Sequence, residues 1–268
     1  MKIDNLHLHN YRNYRDFSVD FGSKATIFIG KNGSGKTNMI KAIKQLLSFV
    51  FSRRKGEPQY GFISSSDRNV VSFKALDARY GKDEDEDEYN YHYPIINTLC
   101  ATLSNGEQLD WTFEKDALTN GLKDSLYRKA NLDFWRVYKN GKEELPVFAY
   151  FSDSYPHVNL QLSTNMKELL ESGNPLPRNA AYFKWDDDKN CTEIWLQYFI
   201  MQYKKSRLQN SKEATHFINA IRAVLVKCSQ PVSEYNPDTD IVLRDILLDF
   251  RGKSEVVVLE YENGTQIP

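Results

Sequence analysis

One short segment of the 268-residue chain has the residue types and spacing of a phosphate-binding site. Residues 30–37 read GKNGSGKT, which matches the P-loop (Walker A) pattern G-x-x-x-x-G-K-[ST]. The glycines leave room for backbone N–H groups to turn inward, and a helix that follows would point the positive end of its dipole at the phosphates. Lys36 would contact the β- and γ-phosphates, and the Thr37 hydroxyl would bind Mg²⁺. The pattern therefore predicts binding of a nucleoside triphosphate with Mg²⁺.

We expect this site to extend over the whole loop and the residues that follow it. Backbone N–H groups would hold phosphate oxygens, and Lys36 would be the catalytic cation that stabilises charge developing on the transferred phosphoryl group. Thr37 is the predicted metal ligand. The predicted nucleotide-contacting residues within this segment are Gly30, Asn32, Gly33, Ser34, Gly35, Lys36, Thr37 and Asn38.

The elements that must position the loop are indicated by the apolar residues on either side of it. Residues 25–29, ATIFI, form an apolar run with no polar face, which predicts a strand buried on both sides. After the loop, apolar residues recur at helical spacing, namely Ile40, Ile43, Leu46, Leu47 and Val50. The predicted order of strand, glycine-rich loop and helix is the context that the P-loop pattern requires.

Further strands and helices are predicted along the rest of the chain. Apolar and polar residues alternate over 6–9 and 17–21, which predicts a hairpin across 10–16. Residues 83–88, DEDEDE, predict an exposed acidic loop. Other predicted strands are 95–103 and 108–113, joined at Asn105-Gly106, and 145–151, 241–243, 246–250 and 256–261, with helices at 193–203 and 213–227.

The N-terminal residues resemble the opening of ATPases of the RecF and SMC type. Residues 6–14, LHLHNYRNY, contain the Asn-Tyr-Arg that follows the first strand in those ATPases, and Asn32 inside the loop is typical of them. Residues 145–151 and 259–264 look like strands of bacterial AAA-type ATPases in the same superfamily. The resemblance implies an α/β P-loop NTPase of the ABC-ATPase head type, with a β-rich first lobe and a helical insertion.

The resemblance also implies a ligand set and partners. It implies ATP and Mg²⁺ as cofactors, and it places Arg12 near the bound nucleotide. Two heads would sandwich two ATPs, so a head-to-head homodimer is expected in the intact protein. DNA repair and phage defence are the implied settings, with DNA or a nuclease as a further candidate partner.

The chain departs from that family pattern in its last third. No signature segment, late switch histidine or Walker B strand is found, and the nearest apolar run, 246–250, carries Phe250 where the Walker B glutamate would stand. We therefore expect a lobe over 1–151, a mostly helical insertion over 152–230, and strands over 231–268 that return to the ATPase core. The chain would be the N-terminal portion of a longer ATPase, unable to hydrolyse ATP alone.

Two other functions fit the same loop. One is an ATP-dependent dimerisation switch or interaction module without turnover, and the other is a P-loop kinase. A kinase usually needs a lid of arginines, whereas the arginines of this chain are scattered. A GTPase is disfavoured because the base-reading Asn-Lys-x-Asp is missing.

Composition excludes several other classes. With 35 Lys+Arg against 36 Asp+Glu, the formal net charge of −1 excludes attraction to nucleic acid by bulk charge. The main local basic concentration is Lys31, Lys41 and Lys44 with residues 53–55. No apolar run approaches the ~20 residues of a membrane span, and three scattered cysteines do not form a disulfide framework. The sequence predicts a cytoplasmic protein without a membrane partner.

Overall fold

The computed structural model of the chain describes residues 1–51, 70–83, 88–123, 125–139, 141–150, 188–231, 242–251 and 254–267. The predicted basic segment 53–55, acidic positions 84–87 and residues 152–187 of the predicted helical insertion lie outside these ranges. Two compact units can be distinguished. The described residues up to Tyr150 belong to the first, and those from 188 onward belong to the second.

Four α-helices and nine strands are found in the described residues. The helices are α1 (Lys36–Leu47), α2 (Ser125–Tyr138), α3 (Asp188–Leu208) and α4 (Lys212–Ser229). The strands are β1 (Lys2–Tyr11), β2 (Tyr14–Asp20), β3 (Arg79–Gly81), β4 (Asn90–His92), β5 (Ile95–Thr102), β6 (Gln108–Lys115), β7 (Leu243–Arg251), β8 (Ser254–Tyr261) and β9 (Gln266–Ile267). Short 3₁₀ turns cover Ser48–Phe51 and Ala75–Asp77.

A four-stranded antiparallel sheet, in the order β2-β1-β5-β6, organises the first unit. The two predicted hairpins are confirmed, because β1 pairs with β2 and β5 pairs with β6. The first hairpin is tighter than predicted: Tyr11 pairs with Tyr14, so only two residues form the turn. This tight turn brings Arg12 and Asn13 to the end of the sheet, beside the glycine-rich loop.

An aromatic core on one face of this sheet holds the C-terminal end of α1. Trp111 is fully buried, stacks on Phe49 with ring centroids 4.1 Å apart, and donates its indole N–H to the Leu46 carbonyl at 2.8 Å. Helix α2, which the sequence reasoning missed, adds Phe134 edge-on to Phe49 at 5.6 Å. Asn131 of α2 donates to the carbonyls of Phe49 and Val50, at 2.9 and 3.0 Å. Side-chain donors thus satisfy carbonyls beyond the end of α1.

Two predicted buried strands are wrong. Neither 25–29 nor 145–150 pairs with any strand that the structure describes, and both carry exposed apolar side chains. Ile27 and Ile29 are 81% and 92% exposed, and Val147 is 90% exposed. A strand buried on both faces needs hydrogen-bonding neighbours and a layer on each side. Apolar composition alone therefore does not show that a segment is a buried strand, because the pairing strands and covering layers must also be present.

The second unit contains two helices and a small sheet. Helices α3 and α4 confirm and extend the predicted helices, and β7, β8 and β9 form an antiparallel sheet in that order. Run 246–250 lies within β7 and pairs with β8, as an ordinary sheet strand does. The buried cluster of this unit consists of Phe199, Ile200, Tyr203, Ile218, Ile246 and Leu248. The aromatic residues Phe199 and Tyr203 are therefore core residues.

Candidate phosphate-binding site

The glycine-rich loop, residues 30–35, leads directly into helix α1. Gly35 stands at the helix start with a φ of 98°, a left-handed conformation that favours glycine. A Cβ there would come within 2.3 Å of the Asn13 amide nitrogen and 2.7 Å of the Tyr14 hydroxyl. The backbone angle therefore favours glycine at this position, and a Cβ would also require the Asn13 and Tyr14 side chains to move aside.

The N-terminus of α1 lacks the groups that usually neutralise it. Gly35 supplies no capping side chain, and no acidic residue lies in the first turn. The first N–H groups of a helix point along its axis and carry about half a positive charge, which stabilises a nearby anion. Thr37 is exposed and Asn38 is half-buried at this helix end. The arrangement suits a phosphate group, which would bring the missing negative charge and hydrogen-bond acceptors.

Lys36 lies across the loop rather than along the helix. Its Nζ donates to the carbonyl oxygens of Gly30 and Lys31, at 2.6 and 2.8 Å, and lies 3.5 Å from the Ser34 hydroxyl. The same loop is tight at Gly30, where a Cβ would come within 2.8 Å of the Ser34 hydroxyl. The ammonium group is thus held within the ring of backbone that would surround a phosphate.

Arg12 reaches the site from the β1–β2 turn. Its Nη1 donates to the Asn38 side-chain oxygen at 3.2 Å, and Asn38 in turn donates to the Asn13 side-chain oxygen at 2.9 Å. Asn13 donates to the Ser34 carbonyl at 3.4 Å. The structure therefore brings Arg12 together with Ser34 of the loop and Asn38 of helix α1. Asn32 and Gly33 lie exposed on the same loop.

Asp77 is a residue of this site that sequence reasoning missed. Its carboxylate is 1% exposed and pairs with Arg12, whose Nε and Nη2 donate to the same oxygen at 3.0 and 2.6 Å. Burial acts to lower the pKa of Arg12, but the neighbouring Tyr11 and Asp77 outweigh it and raise that pKa. The guanidinium is therefore a permanent cation. The one available signal was an acid inside the mainly apolar segment 73–78.

Gln45 connects Asp77 to helix α1. Its side-chain amide donates to the second Asp77 carboxylate oxygen at 2.9 Å and accepts from the Tyr11 hydroxyl at 2.8 Å. Burial, reinforced by the charge of Asp77, raises the pKa of Tyr11, so the phenol keeps its proton and remains a donor. The β1–β2 turn, helix α1 and the 75–77 turn are thereby tied together by buried polar side chains.

The donor set fits a phosphate chain more clearly than it fits a metal. Two cations, glycine at both ends of the loop and an uncapped helix N-terminus face the same region. For Mg²⁺ the loop offers the exposed Thr37 hydroxyl, a ligand that would need phosphate oxygens and water to complete the coordination. In the described part of the chain, no group of three or more His, Cys, Asp or Glu side chains is placed to hold a metal ion.

Comparison with known proteins places the chain in a family. It matches the AAA ATPase domain family over residues 1–233, and it belongs to that family. The family is one of ATPase domains, which confirms the predicted P-loop NTPase fold, and the described residues form mixed helices and strands as that fold requires.

Individual relatives confirm the predicted resemblance to RecF. The DNA replication and repair protein RecF of Clostridioides difficile is 36% identical over 270 residues, which cover 99% of this chain and 58% of that protein. RecF of Pediococcus pentosaceus is 38% identical over 79 residues, 30% of this chain and 18% of that protein. RecF of Synechococcus sp. is 44% identical over 71 residues, 26% of this chain and 16% of that protein. The chain thus spans at most 58% of the length of these three relatives.

No helix in the described residues is long and apolar enough to cross a membrane.

Proposed function

We propose that residues 30–38, together with Arg12, bind ATP with Mg²⁺, and that the chain forms part of an ATPase head of the ABC type. The observation that carries the proposal is the uncapped start of α1 behind Gly35, with the Lys36 ammonium held over the loop. The setting would be DNA repair or phage defence, in the cytoplasm, with a head-to-head homodimer in the intact protein and DNA or a nuclease as partner. The division into segments 1–151, 152–230 and 231–268 remains part of this proposal.

Each residue of the site has a specific task in ATP binding. Backbone N–H groups of the loop and of the first turn of α1 would donate to the phosphate oxygens, because no acid competes there. Lys36 would exchange its carbonyl partners for β- and γ-phosphate oxygens, a stronger, charge-assisted contact. Arg12 would add a second cation from the β1–β2 turn, beside Asn38 at the start of α1. Mg²⁺, when bound beside Thr37, would neutralise charge on the same phosphates.

A binding switch without turnover is the second candidate, and one observation favours it for this chain. The one carboxylate described at the site is that of Asp77, and Arg12 and Gln45 already occupy its two oxygens. It is not available to orient an attacking water. We therefore propose that hydrolysis needs carboxylates supplied by elements other than the described residues.

Calorimetric titration with ATP and Mg²⁺ tests the proposal. We expect Lys36→Ala to weaken binding by about tenfold or more, because it removes a charged hydrogen-bond donor to the phosphates. Lys41→Ala, on the same helix and of the same charge, is the matched control and should bind ATP as the unaltered chain does. Absence of ATP binding by the unaltered chain would overturn the proposal. Phosphate release measured on the same samples separates an ATPase from a switch.

A further inference from the structure

We propose that Asp77 is the positioning residue of the site: it holds Arg12 against the first turn of α1, in the orientation that meets the phosphates. The inference rests on the proposed ATP binding and concerns a residue outside the P-loop pattern. Asp77 itself lies behind Arg12, fully buried, so it would act on ATP only through that arginine.

The hydrogen bonds of the Asp77 carboxylate restrict the orientation of the Arg12 side chain. One oxygen accepts from both Nε and Nη2 of Arg12, and the other accepts from the Gln45 amide and the Lys74 backbone N–H, each at 2.9 Å. A buried carboxylate left without its cation is strongly unfavourable. The pairing therefore restrains the guanidinium plane, whereas an exposed arginine would sample many rotamers.

The backbone conformation of the β1–β2 turn also depends on the contact between Arg12 and Asp77. Arg12 has a φ of 52°, a left-handed conformation that costs a non-glycine residue free energy, and Asn10, just before the turn in β1, has a φ of 50°, which asparagine adopts more readily. Such conformations persist where surrounding contacts over-determine them, and they cluster at functional sites. Here the backbone carbonyl of Asp77 accepts from the Arg12 N–H at 2.8 Å, in addition to the side-chain pair. Asp77 thus holds Arg12 by both its main chain and its side chain.

The held guanidinium still has capacity for an anion. An arginine has five N–H donors; two meet Asp77 and one meets Asn38, and the guanidinium also interacts with Tyr11, whose ring centroid lies 5.7 Å away. The Asn38 contact aims Nη1 at the start of α1, where the predicted phosphate site lies. We therefore expect the remaining donors to be available to a phosphate without reorganisation of the side chain, which is how pre-organisation raises affinity.

A double-mutant cycle tests the inference on the full chain. The variants are Asp77→Asn, Arg12→Ala and the combination, and the measurement is the dissociation constant for ATP with Mg²⁺. We expect Asp77→Asn to weaken ATP binding by about fivefold to tenfold, and to cause no further weakening once Arg12 is alanine. The matched control is Asp245→Asn, which breaks the Arg222–Asp245 pair of the second unit and should leave ATP affinity unchanged.

A second substitution probes the same link from the arginine side. Arg12→Lys keeps the positive charge but cannot donate in a planar fork to Asp77 and Asn38 together. We expect it to lose most of the affinity that Arg12→Ala loses. The thermal midpoint of each variant, measured without nucleotide, shows whether the altered chain is folded.

The outcomes separate this inference from the proposed function. If Lys36→Ala weakens ATP binding but Asp77→Asn and Arg12→Lys bind as the unaltered chain does, ATP binding stands and the role of Asp77 is overturned. Equal weakening by Asp77→Asn with and without Arg12 also overturns it, because the effect would then pass through the fold. If the unaltered chain binds no ATP, both proposals fail.

Discussion

The two ends of helix α1 lie in contrasting surroundings. Its C-terminal end is buried among aromatic rings, and its last carbonyls accept hydrogen bonds from side chains such as Trp111. Its N-terminal end follows an exposed loop, has no side-chain cap, and is bordered by polar residues. The C-terminal end therefore contributes core packing, and the N-terminal end keeps its backbone N–H donors available for a ligand. We infer that stability and ligand binding are separable along this one helix, and that substitutions at the two ends should affect different measurements.

Loss of the aromatic anchor at the buried end should have the largest effect. Trp111→Ala removes a fully buried side chain that stacks on Phe49 and donates to Leu46, and we expect the free energy of unfolding to fall by about 3–5 kcal/mol. Denaturant unfolding measures this change. Trp195→Ala, which removes a half-exposed tryptophan in the second unit, is the control and should cost much less. A loss below about 1 kcal/mol for Trp111→Ala would contradict the anchoring role.

A substitution at the N-terminal end of α1 should affect ATP binding more than folding stability. Gly35→Ala places a Cβ within 2.3 Å of the Asn13 side chain at a φ of 98°, so the backbone is strained and the Asn13 and Tyr14 side chains beside the loop must move. We expect ATP affinity to fall by at least about tenfold, and the free energy of unfolding to fall by about 1–2 kcal/mol. Titration and denaturant unfolding on the same sample report the two effects.

Gly106→Ala is a close control for that change. Gly106 also has a positive φ, of 85°, but a Cβ there would meet no atom within 4 Å. It lies in the β5–β6 hairpin, so it should cost similar backbone strain and leave ATP affinity unaltered. If both glycine variants weakened ATP binding equally, the effect of Gly35→Ala would reflect general backbone strain and not its place at the start of α1.

The sequence predicted the N-terminal end of α1, with its glycine-rich loop, far better than the packing around its buried C-terminal end. The glycine-rich loop and the helix after it depend on residues that are neighbours in the chain, so the pattern 30–37 was enough to place them. The β1–β2 and β5–β6 hairpins were predictable for the same reason, because alternation and Asn105-Gly106 are local signals.

What the sequence did not predict depends on partners distant in the chain. Asp77 and Arg12 are 65 positions apart, and nothing near either residue indicates the pairing. Helix α2 is the exception, because its buried residues Tyr127, Ala130, Phe134 and Tyr138 recur at helical spacing, which is a local signal for a helix. The buried strands predicted at 25–29 and 145–150 are wrong because their apolar composition is a local signal, whereas burial depends on other strands. None of the described strands pairs with either segment.

Strand β5 of the four-stranded sheet contains one buried polar residue, Asn97, whose replacement should increase stability. Asn97 is fully buried between Leu8 and Phe113 in register, and neither of its amide atoms has a hydrogen-bond partner among the described residues. Asn97→Leu exchanges an unsatisfied amide for an apolar group of similar size, and we expect a gain of about 1–2 kcal/mol in denaturant unfolding.

Asn131 provides the matched control for this prediction. It is equally an asparagine in the core, but it donates to the carbonyls of Phe49 and Val50. Asn131→Leu should therefore lower the free energy of unfolding, by about 1–3 kcal/mol, because the Phe49 carbonyl loses its side-chain donor and the Val50 carbonyl keeps only Trp135. Opposite signs for the two substitutions would show that hydrogen bonding, rather than polarity, decides stability in this core. A destabilising Asn97→Leu would contradict this prediction.

The smallest effect is expected at Asp4, near the start of β1, whose side chain is hydrogen-bonded to Lys2 and Thr102. Hydrogen bonds from Lys2 and Thr102 lower the pKa of the Asp4 carboxyl, and the group is partly exposed. A carboxyl whose pKa is lower in the folded chain stabilises the fold above its unfolded pKa of about 4, and loses that contribution as the pH falls through the folded value. Asp4→Asn should thus cost less than about 0.5 kcal/mol at pH 7, and progressively less as the pH falls from about 4 through the folded pKa, in denaturant unfolding across that range. A difference that grew as the pH fell would have the wrong sign. ATP affinity should not respond at any pH, because the Asp4 pair, unlike Arg12–Asp77, does not hold a residue of the glycine-rich loop or of α1.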